Sequence, residues 1–102
     1  MSIKKEYLTD KGVCKVKFSL PPHLTASTKK ASLVGDFNNW DPKQAPMIRR
    51  RNGIHSVSIE LRVGNEYQFK YLIDGTQWEN ESEADKKIRS EYQDSENSVI
   101  VV

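Results

Sequence analysis

Short segments in which apolar and polar residues alternate dominate this sequence. The clearest covers residues 66–73, where Tyr67, Phe69, Tyr71 and Ile73 share one parity. Side chains of a strand point to alternate faces of a sheet, so such a segment predicts a strand with one buried face. Turn-forming residues follow about every ten positions. The sequence therefore predicts an all-β fold, an immunoglobulin-like β-sandwich of about seven short strands.

Five further segments complete the predicted set of strands. They cover residues 13–20, 30–37, 46–49, 54–61 and 98–102. Hairpin turns are expected at Asn52-Gly53 and at Asp74-Gly75, because these residue pairs favour the positive φ angles of tight turns.

Two charged segments lie outside the alternation. Residues 1–12 are interpreted as an N-terminal lead-in to a single domain formed by residues 13–102. Residues 79–96 are polar and rich in Asp and Glu, and they are interpreted as a long solvated loop with one helical turn near residues 84–88.

Length and charge exclude several classes of function. A chain of 102 residues is one domain, and it is too short for an eight-stranded α/β barrel of about 250 residues. With 16 Lys plus Arg against 14 Asp plus Glu, the formal charge of +2 gives little drive towards nucleic acid or an anionic membrane. Neither a signal-like apolar run at the N-terminus nor 18 consecutive apolar residues are present, so we expect a cytoplasmic protein.

The single cysteine and the two histidines are interpreted as structural residues. Cys14 alternates with the apolar residues of its segment and is expected in the core. His55 lies on the apolar face of its segment, whereas His23 lies in a polar loop with no second ligand nearby. No zinc-ligand spacing is present, and we expect neither a metal nor a cofactor.

Both tryptophans break the alternation. Trp40 lies among turn formers directly after a predicted strand, and Trp78 follows the turn at Asp74-Gly75. An indole in such a loop either folds back as a lid on the core or is displayed as a contact surface. Two indoles placed in this way suggest a platform.

A sugar ring suits such a platform. Its C–H groups stack on a flat aromatic ring, while its hydroxyls need polar partners at the rim. Lys70, on the outward parity of its strand, and Asn97, where the last loop re-enters a strand, are the candidate partners.

Three ordered motifs extend this interpretation. They are Leu-Val-Gly-Asp-Phe-Asn-Asn-Trp-Asp-Pro at 33–42, Tyr-Gln-Phe-Lys-Tyr-Leu-Ile-Asp-Gly at 67–75 followed by Trp78, and Glu-Asn-Ser-Val at 96–99. Together they resemble carbohydrate-binding module family 48. That family is the isoamylase N-terminal or early set domain of glycogen branching and debranching enzymes, and includes the glycogen-binding domain of the AMP-activated protein kinase β subunit.

The resemblance implies a β-sandwich that binds α-1,4-linked glucans such as glycogen or starch and catalyses nothing. It assigns the platform to Trp40 and Trp78, and the hydroxyl contacts to Lys70 and Asn97. Kinase-type members carry a leucine at the tip of the last loop, where this chain has Gln93 with Tyr92 beside it. Tyr92 could supply an aromatic contact instead.

Three functions compete at this point. The first is a stand-alone module that binds an α-glucan oligo- or polysaccharide. The second is a regulatory or protein-interaction module whose partner is a glucan-metabolising enzyme. The third, a glycoside hydrolase or branching enzyme, needs two carboxylates across a cleft, and nothing in the sequence suggests such a cleft.

Overall fold

The computed structural model of the chain describes residues 2–25, 28–89 and 95–102, and β-strands dominate these ranges. The described residues form nine strands: β1 (Ile3–Leu8), β2 (Val13–Ser19), β3 (Ala31–Gly35), β4 (Ile48–Arg49), β5 (His55–Arg62), β6 (Glu66–Ile73), β7 (Gln77–Glu79), β8 (Lys86–Arg89) and β9 (Glu96–Val101). A one-turn helix at Pro22–Thr25 and a 3₁₀ turn at Asp36–Asn38 accompany them. No helix among the described residues has the length and apolar character needed to cross a membrane.

The strands form two antiparallel sheets. The first sheet has the order β1-β2-β5-β4, and the second has the order β3-β6-β9-β8, with β7 also paired to β6. One cluster of buried residues lies between them and draws side chains from both, for example Phe18 of the first sheet and Phe69 of the second, whose ring centroids are 5.1 Å apart. The predicted immunoglobulin-like sandwich is therefore confirmed, with nine strands in place of about seven.

The N-terminal lead-in is the first correction. Residues 3–8 form strand β1, which pairs with β2 along its whole length, from Ile3 opposite Phe18 to Leu8 opposite Val13. Lys5 then reaches the other sheet, because its Nζ lies 2.8 Å from both Asp85 Oδ2 and the Val101 carbonyl oxygen. The first residues of the chain thus belong to the sandwich.

The acid-rich segment is the second correction. Instead of a solvated loop with a helical turn, it contains strand β8, which pairs with β9 from Lys86 opposite Val99 to Arg89 opposite Glu96. Glu81, expected to be solvated, is fully buried. An edge strand pairs on one side only and tolerates charge, which explains why its sequence lacks alternation.

The structural roles predicted for three residues are consistent with the fold. Cys14 is fully buried in the core cluster, and burial raises the pKa of its thiol. His55 is only 2% exposed; its Nε2 lies 3.4 Å from the Lys29 carbonyl oxygen, and its Nδ1 has no hydrogen-bond partner among the described residues. His23 is exposed, but it lies on the one-turn helix and not in the predicted loop.

The predicted hairpin at Asn52-Gly53 is also present. It connects β4 to β5, and Gly53 adopts a φ of 83° that its missing Cβ permits.

Candidate functional site

The side chains of strand β6 alternate between the two faces of the second sheet. Phe69, Tyr71 and Ile73 belong to the core cluster between the sheets. The intervening Lys70 and Leu72 therefore point away from the core, to what we call the outer face of the second sheet.

The register carries this outer face to the neighbouring strands. Residues directly opposite each other in an antiparallel pair share a face. Lys70 is opposite Val34 of β3, and Leu72 is opposite Trp78 of β7. Lys70 and Trp78 consequently lie on the same face, one step of the pleat apart.

Asn97 belongs to the same face. Gln68, two residues before Lys70, is opposite Val99 of β9, and Asn97 is two residues before Val99. A hydrogen bond of 2.9 Å from Asn97 Nδ2 to Gln68 Oε1 joins the two side chains. Phe69 is opposite Ser98, so the preceding residue, Asn97, lies across from Lys70 on the neighbouring strand.

Trp40 reaches the edge of this face through a strained turn. Its φ is 57°, in the left-handed region where a bulky residue costs about 1–2 kcal/mol. Two hydrogen bonds hold it there: its backbone N–H donates to the Gly35 carbonyl oxygen at 2.9 Å, and its indole Nε1–H donates to Asp36 Oδ1 at 2.9 Å. Asp36 Oδ2 in turn accepts the Gln68 backbone N–H at 2.8 Å. One carboxylate thus fixes the indole against β6.

A glycine permits this close approach. A Cβ added at Gly35 would lie 2.5 Å from the Gln68 carbonyl oxygen and 2.8 Å from Phe69 Cβ. The Gly35 backbone is extended, so its role is steric. Without a side chain, the start of the turn packs directly on β6.

The exposure of these side chains suits contact with a ligand. Trp78 is 47% exposed, while Trp40, Lys70 and Asn97 are half-buried. Trp40 does not pack against the core cluster, so it is not a lid on that core. Beneath these residues lies an apolar floor of buried side chains that are also outside the core cluster: Val34, Leu72 and Val99.

A buried polar network lies behind Trp78. The Tyr71 hydroxyl donates to Glu81 Oε1 at 2.7 Å, and the Glu83 backbone N–H donates to Glu81 Oε2 at 2.9 Å. Burial, together with the adjacent Glu81 carboxylate, raises the pKa of Tyr71 well above its ordinary value. The hydroxyl therefore stays protonated as the donor.

The same network connects the segments that carry two of the candidate residues, Trp78 and Asn97. The Glu81 backbone N–H donates to Ser98 Oγ, and the Ser98 hydroxyl donates to Asn80 Oδ1, each at 2.8 Å. Ser98 follows Asn97, and Asn80 is two residues after Trp78. These hydrogen bonds consequently connect the segment that follows Trp78 to strand β9, which carries Asn97.

The structure thus brings together four of the six residues predicted for the site. The other two, Tyr92 and Gln93, lie outside the described residues. Sequence reasoning missed Asp36 and Gln68. Asp36 lies within a motif that drew attention only to its tryptophan, and Gln68 shares the outward parity of Lys70. Among the described residues, no group of three or more His, Cys, Asp or Glu side chains is placed to hold a metal ion.

Comparison with known proteins identifies the family. The model of carbohydrate-binding module 48, the isoamylase N-terminal domain, matches residues 25–90, well over half of the chain. The chain belongs to the carbohydrate-binding module 48 family. The matched range includes Trp40, Lys70 and Trp78, but it ends before Asn97.

Similar sequences occur in glucan branching enzymes. The module is 44% identical over 45 residues to the 1,4-alpha-glucan branching enzyme GlgB of Synechococcus elongatus. The aligned residues make up 43% of the module and 6% of the enzyme. It is 38% identical over 64 residues to GlgB of Thermosynechococcus vestitus, covering 62% and 8%. With the branching enzyme of Emericella nidulans it shares 46% identity over 35 residues, covering 34% and 5%. The module therefore spans less than a tenth of each of these enzymes.

Proposed function

We propose that this module binds α-1,4-linked glucan on the outer face of the second sheet and does so without catalysis. The observation that carries the proposal is the shared face. Two indoles, one 47% exposed and one half-buried, lie on it together with an amine and an amide. Membership of a carbohydrate-binding family, and similarity to enzymes named for acting on 1,4-alpha-glucan, support this class of ligand.

Each side chain has a distinct role in the proposed complex. Trp40 and Trp78 stack on the apolar faces of glucose rings. Lys70 donates hydrogen bonds to sugar hydroxyls, and Asn97 both donates and accepts them. Gln68 already accepts one N–H of Asn97 and so fixes its orientation, while the other N–H and the amide oxygen have no partner in the part of the chain that the structure describes.

The expected affinity is weak. If each indole loses roughly 100 Å² of apolar surface to the sugar, burial contributes about 2.5 kcal/mol for each ring. Association and ordering then cost several kcal/mol. A dissociation constant in the high micromolar to millimolar range follows. A long polymer with many equivalent sites binds with higher apparent affinity.

The module serves, in this proposal, to hold a glucan-metabolising enzyme near its substrate. The support is that its relatives are branching enzymes in which the matching stretch is a small fraction of the protein. Glycoside hydrolysis requires two carboxylates facing each other across the scissile bond. Glu81 lies three residues after Trp78, but its side chain is fully buried and accepts a hydrogen bond from the Tyr71 hydroxyl. This carboxylate therefore belongs to the buried network and does not face the proposed glucan.

The test is a titration with maltoheptaose and β-cyclodextrin, followed by tryptophan fluorescence and isothermal calorimetry. We expect saturable binding that Trp40→Ala and Trp78→Ala each abolish, with circular dichroism showing an intact fold. Tyr7→Ala is the matched control, since Tyr7 is an aromatic residue 51% exposed on the first sheet. Cellohexaose controls for the glycosidic linkage.

Two results would contradict the proposal. One is maltoheptaose binding that survives both tryptophan substitutions. The other is the absence of binding up to about 10 mM, the weak end of the expected range; a protein partner on this face would then be the better interpretation. Release of reducing sugar by the purified module would refute the non-catalytic part.

A further inference from the structure

Ile88 is an exposed aliphatic residue on the same face as the proposed site. It lies on β8, is 44% exposed, and is directly opposite Asn97 of β9. Opposite residues share a face, so Ile88 points to the same side of the sheet as Lys70 and Trp78. A single exposed isoleucine is common on protein surfaces and says little alone. Its position beside Asn97 is what matters.

The register places Ile88 at the end of a row that crosses the whole sheet. From β3 to β8 the row contains Val34, Lys70, Asn97 and Ile88. Neighbouring strands are about 4.8 Å apart, so Ile88 lies about 10 Å from Lys70 and about 14 Å from Val34. Trp40 is held next to β3 by Asp36, so Trp40 and Ile88 mark opposite edges of one surface.

The chemical order along this surface is apolar, polar, apolar. Trp40 lies at the β3 end, Lys70 and Asn97 in the middle, and the Ile88 side chain at the β8 end. Trp78 flanks the middle of this surface, because β3 and β7 pair with opposite edges of β6. A sugar chain offers the same mixture at every residue, namely apolar C–H faces with hydroxyls at their rims. The surface therefore continues past Asn97 for a ligand long enough to reach β8.

We infer that Ile88 forms an additional subsite, where it contacts a glucose residue beyond those held by the two tryptophans, and so makes the module favour longer α-glucans. This inference rests on the proposed function, because it extends the same site. The occupant is a glucan because the subsite is continuous with the proposed glucan surface. The neighbouring outer-face residue of β8, Lys86, is paired with Glu66, which leaves Ile88 as the apolar contact of this strand on that face.

The experiment compares maltotriose and maltoheptaose on the wild type and on Ile88→Ser. We expect the variant to lose about fivefold to tenfold in affinity for maltoheptaose, the effect of uncovering roughly 50 Å² of apolar contact. Affinity for maltotriose should change by less than about twofold, since the tryptophans suffice to hold it. Ile48→Ser is the matched control: Ile48 is 55% exposed but lies on β4 of the first sheet, and this change should affect neither affinity.

An unchanged ratio of the two affinities in Ile88→Ser would overturn the inference. Equal effects of Ile48→Ser and Ile88→Ser would also do so. In both cases the proposed function stands if Trp40→Ala still abolishes binding, so the two failures are distinguishable. If sedimentation shows that Ile88→Ser instead dissociates a dimer of the wild type, Ile88 is a contact between copies of this chain and the subsite is refuted.

Discussion

Replacing Tyr71 with phenylalanine tests the buried network behind the site. The hydroxyl is fully buried and donates at 2.7 Å to a carboxylate oxygen of Glu81, which is itself 0% exposed. A hydrogen bond to a charged group contributes about 1.5–3 kcal/mol, and here its loss leaves a buried oxygen without that donor. For a domain of this size, we expect Tyr71→Phe to lower Tm by about 6–12 °C.

Tyr71→Phe should also reduce the loss of stability that the protein shows at alkaline pH. The pKa of Tyr71 is raised well above its ordinary value of 10.0, by burial first and by Glu81 second. The folded state therefore holds this proton more tightly than the unfolded state does. Its contribution to stability is complete below pH 10.0 and decreases as the pH rises beyond that value. Phenylalanine has no proton to lose, so the variant should show a smaller decrease above pH 10.0 than the wild type.

Thermal unfolding followed by far-ultraviolet circular dichroism measures the change in Tm, and urea unfolding at a series of pH values measures the dependence of stability on pH. Tyr67→Phe is the matched control, because Tyr67 lies on the same strand and packs against the core, while its hydroxyl has no hydrogen-bond partner among the described residues. The reasoning is refuted if Tyr71→Phe costs no more than Tyr67→Phe at neutral pH. It is also refuted if the two variants lose stability equally as the pH rises.

Two further predictions concern the turn that carries Trp40. Gly35→Ala should cost about 1–3 kcal/mol of unfolding free energy, since the new Cβ would meet backbone of β6 at 2.5 Å; a loss below 0.5 kcal/mol, roughly the limit for a benign surface change, would contradict the close approach. Asp36→Ala should weaken maltoheptaose binding and shift Trp40 fluorescence to longer wavelength, because the indole N–H loses its acceptor. That shift is measured in a Trp78→Phe background, and unchanged emission there would mean that the carboxylate does not fix the ring.

The alternation of residues predicted six of the nine described strands but missed β1, β7 and β8. Segments such as Val13–Ser19 and Glu66–Ile73 bury one face against the core, and this burial imposes the period of two. Strand β8, with the sequence Lys-Lys-Ile-Arg, has four exposed residues and carries no such period. Pairing with β9 makes it a strand, and local sequence does not encode that pairing.

The candidate site could be predicted in part for a similar reason. Trp40 and Trp78 were identified because they interrupt the alternation, and Lys70 because of its outward parity. The sequence could not show that Lys70 and Trp78 share a face, since this follows from the register between β6 and its neighbours. The role of Asp36 depends on a hydrogen bond to Gln68, 32 residues away, for which no local pattern exists.

Acid-rich composition was a poor guide to the environment of Glu81. Six other carboxylic side chains in the 79–96 segment made a solvated surface the natural interpretation. Glu81 nevertheless faces the core side of the sheet, because Tyr71 provides a hydroxyl donor and the Glu83 backbone provides an N–H donor. A buried carboxylate is tolerated where such donors replace water.

Two energetically unfavourable features among the described residues border the proposed site. Trp40 has a left-handed backbone that a bulky residue avoids, and Glu81 is a carboxylate removed from water behind Trp78. Sequences that specify a fold follow local rules, and departures from them concentrate where function requires a particular geometry. Here the departures fix the orientation of Trp40 and connect the segment after Trp78 to the strand that carries Asn97. Substitutions that relieve the backbone strain at Trp40 or the burial of the Glu81 carboxylate should therefore raise the free energy of unfolding while lowering the affinity for glucan. If these features served only the stability of the fold, the same substitutions would lower the free energy of unfolding.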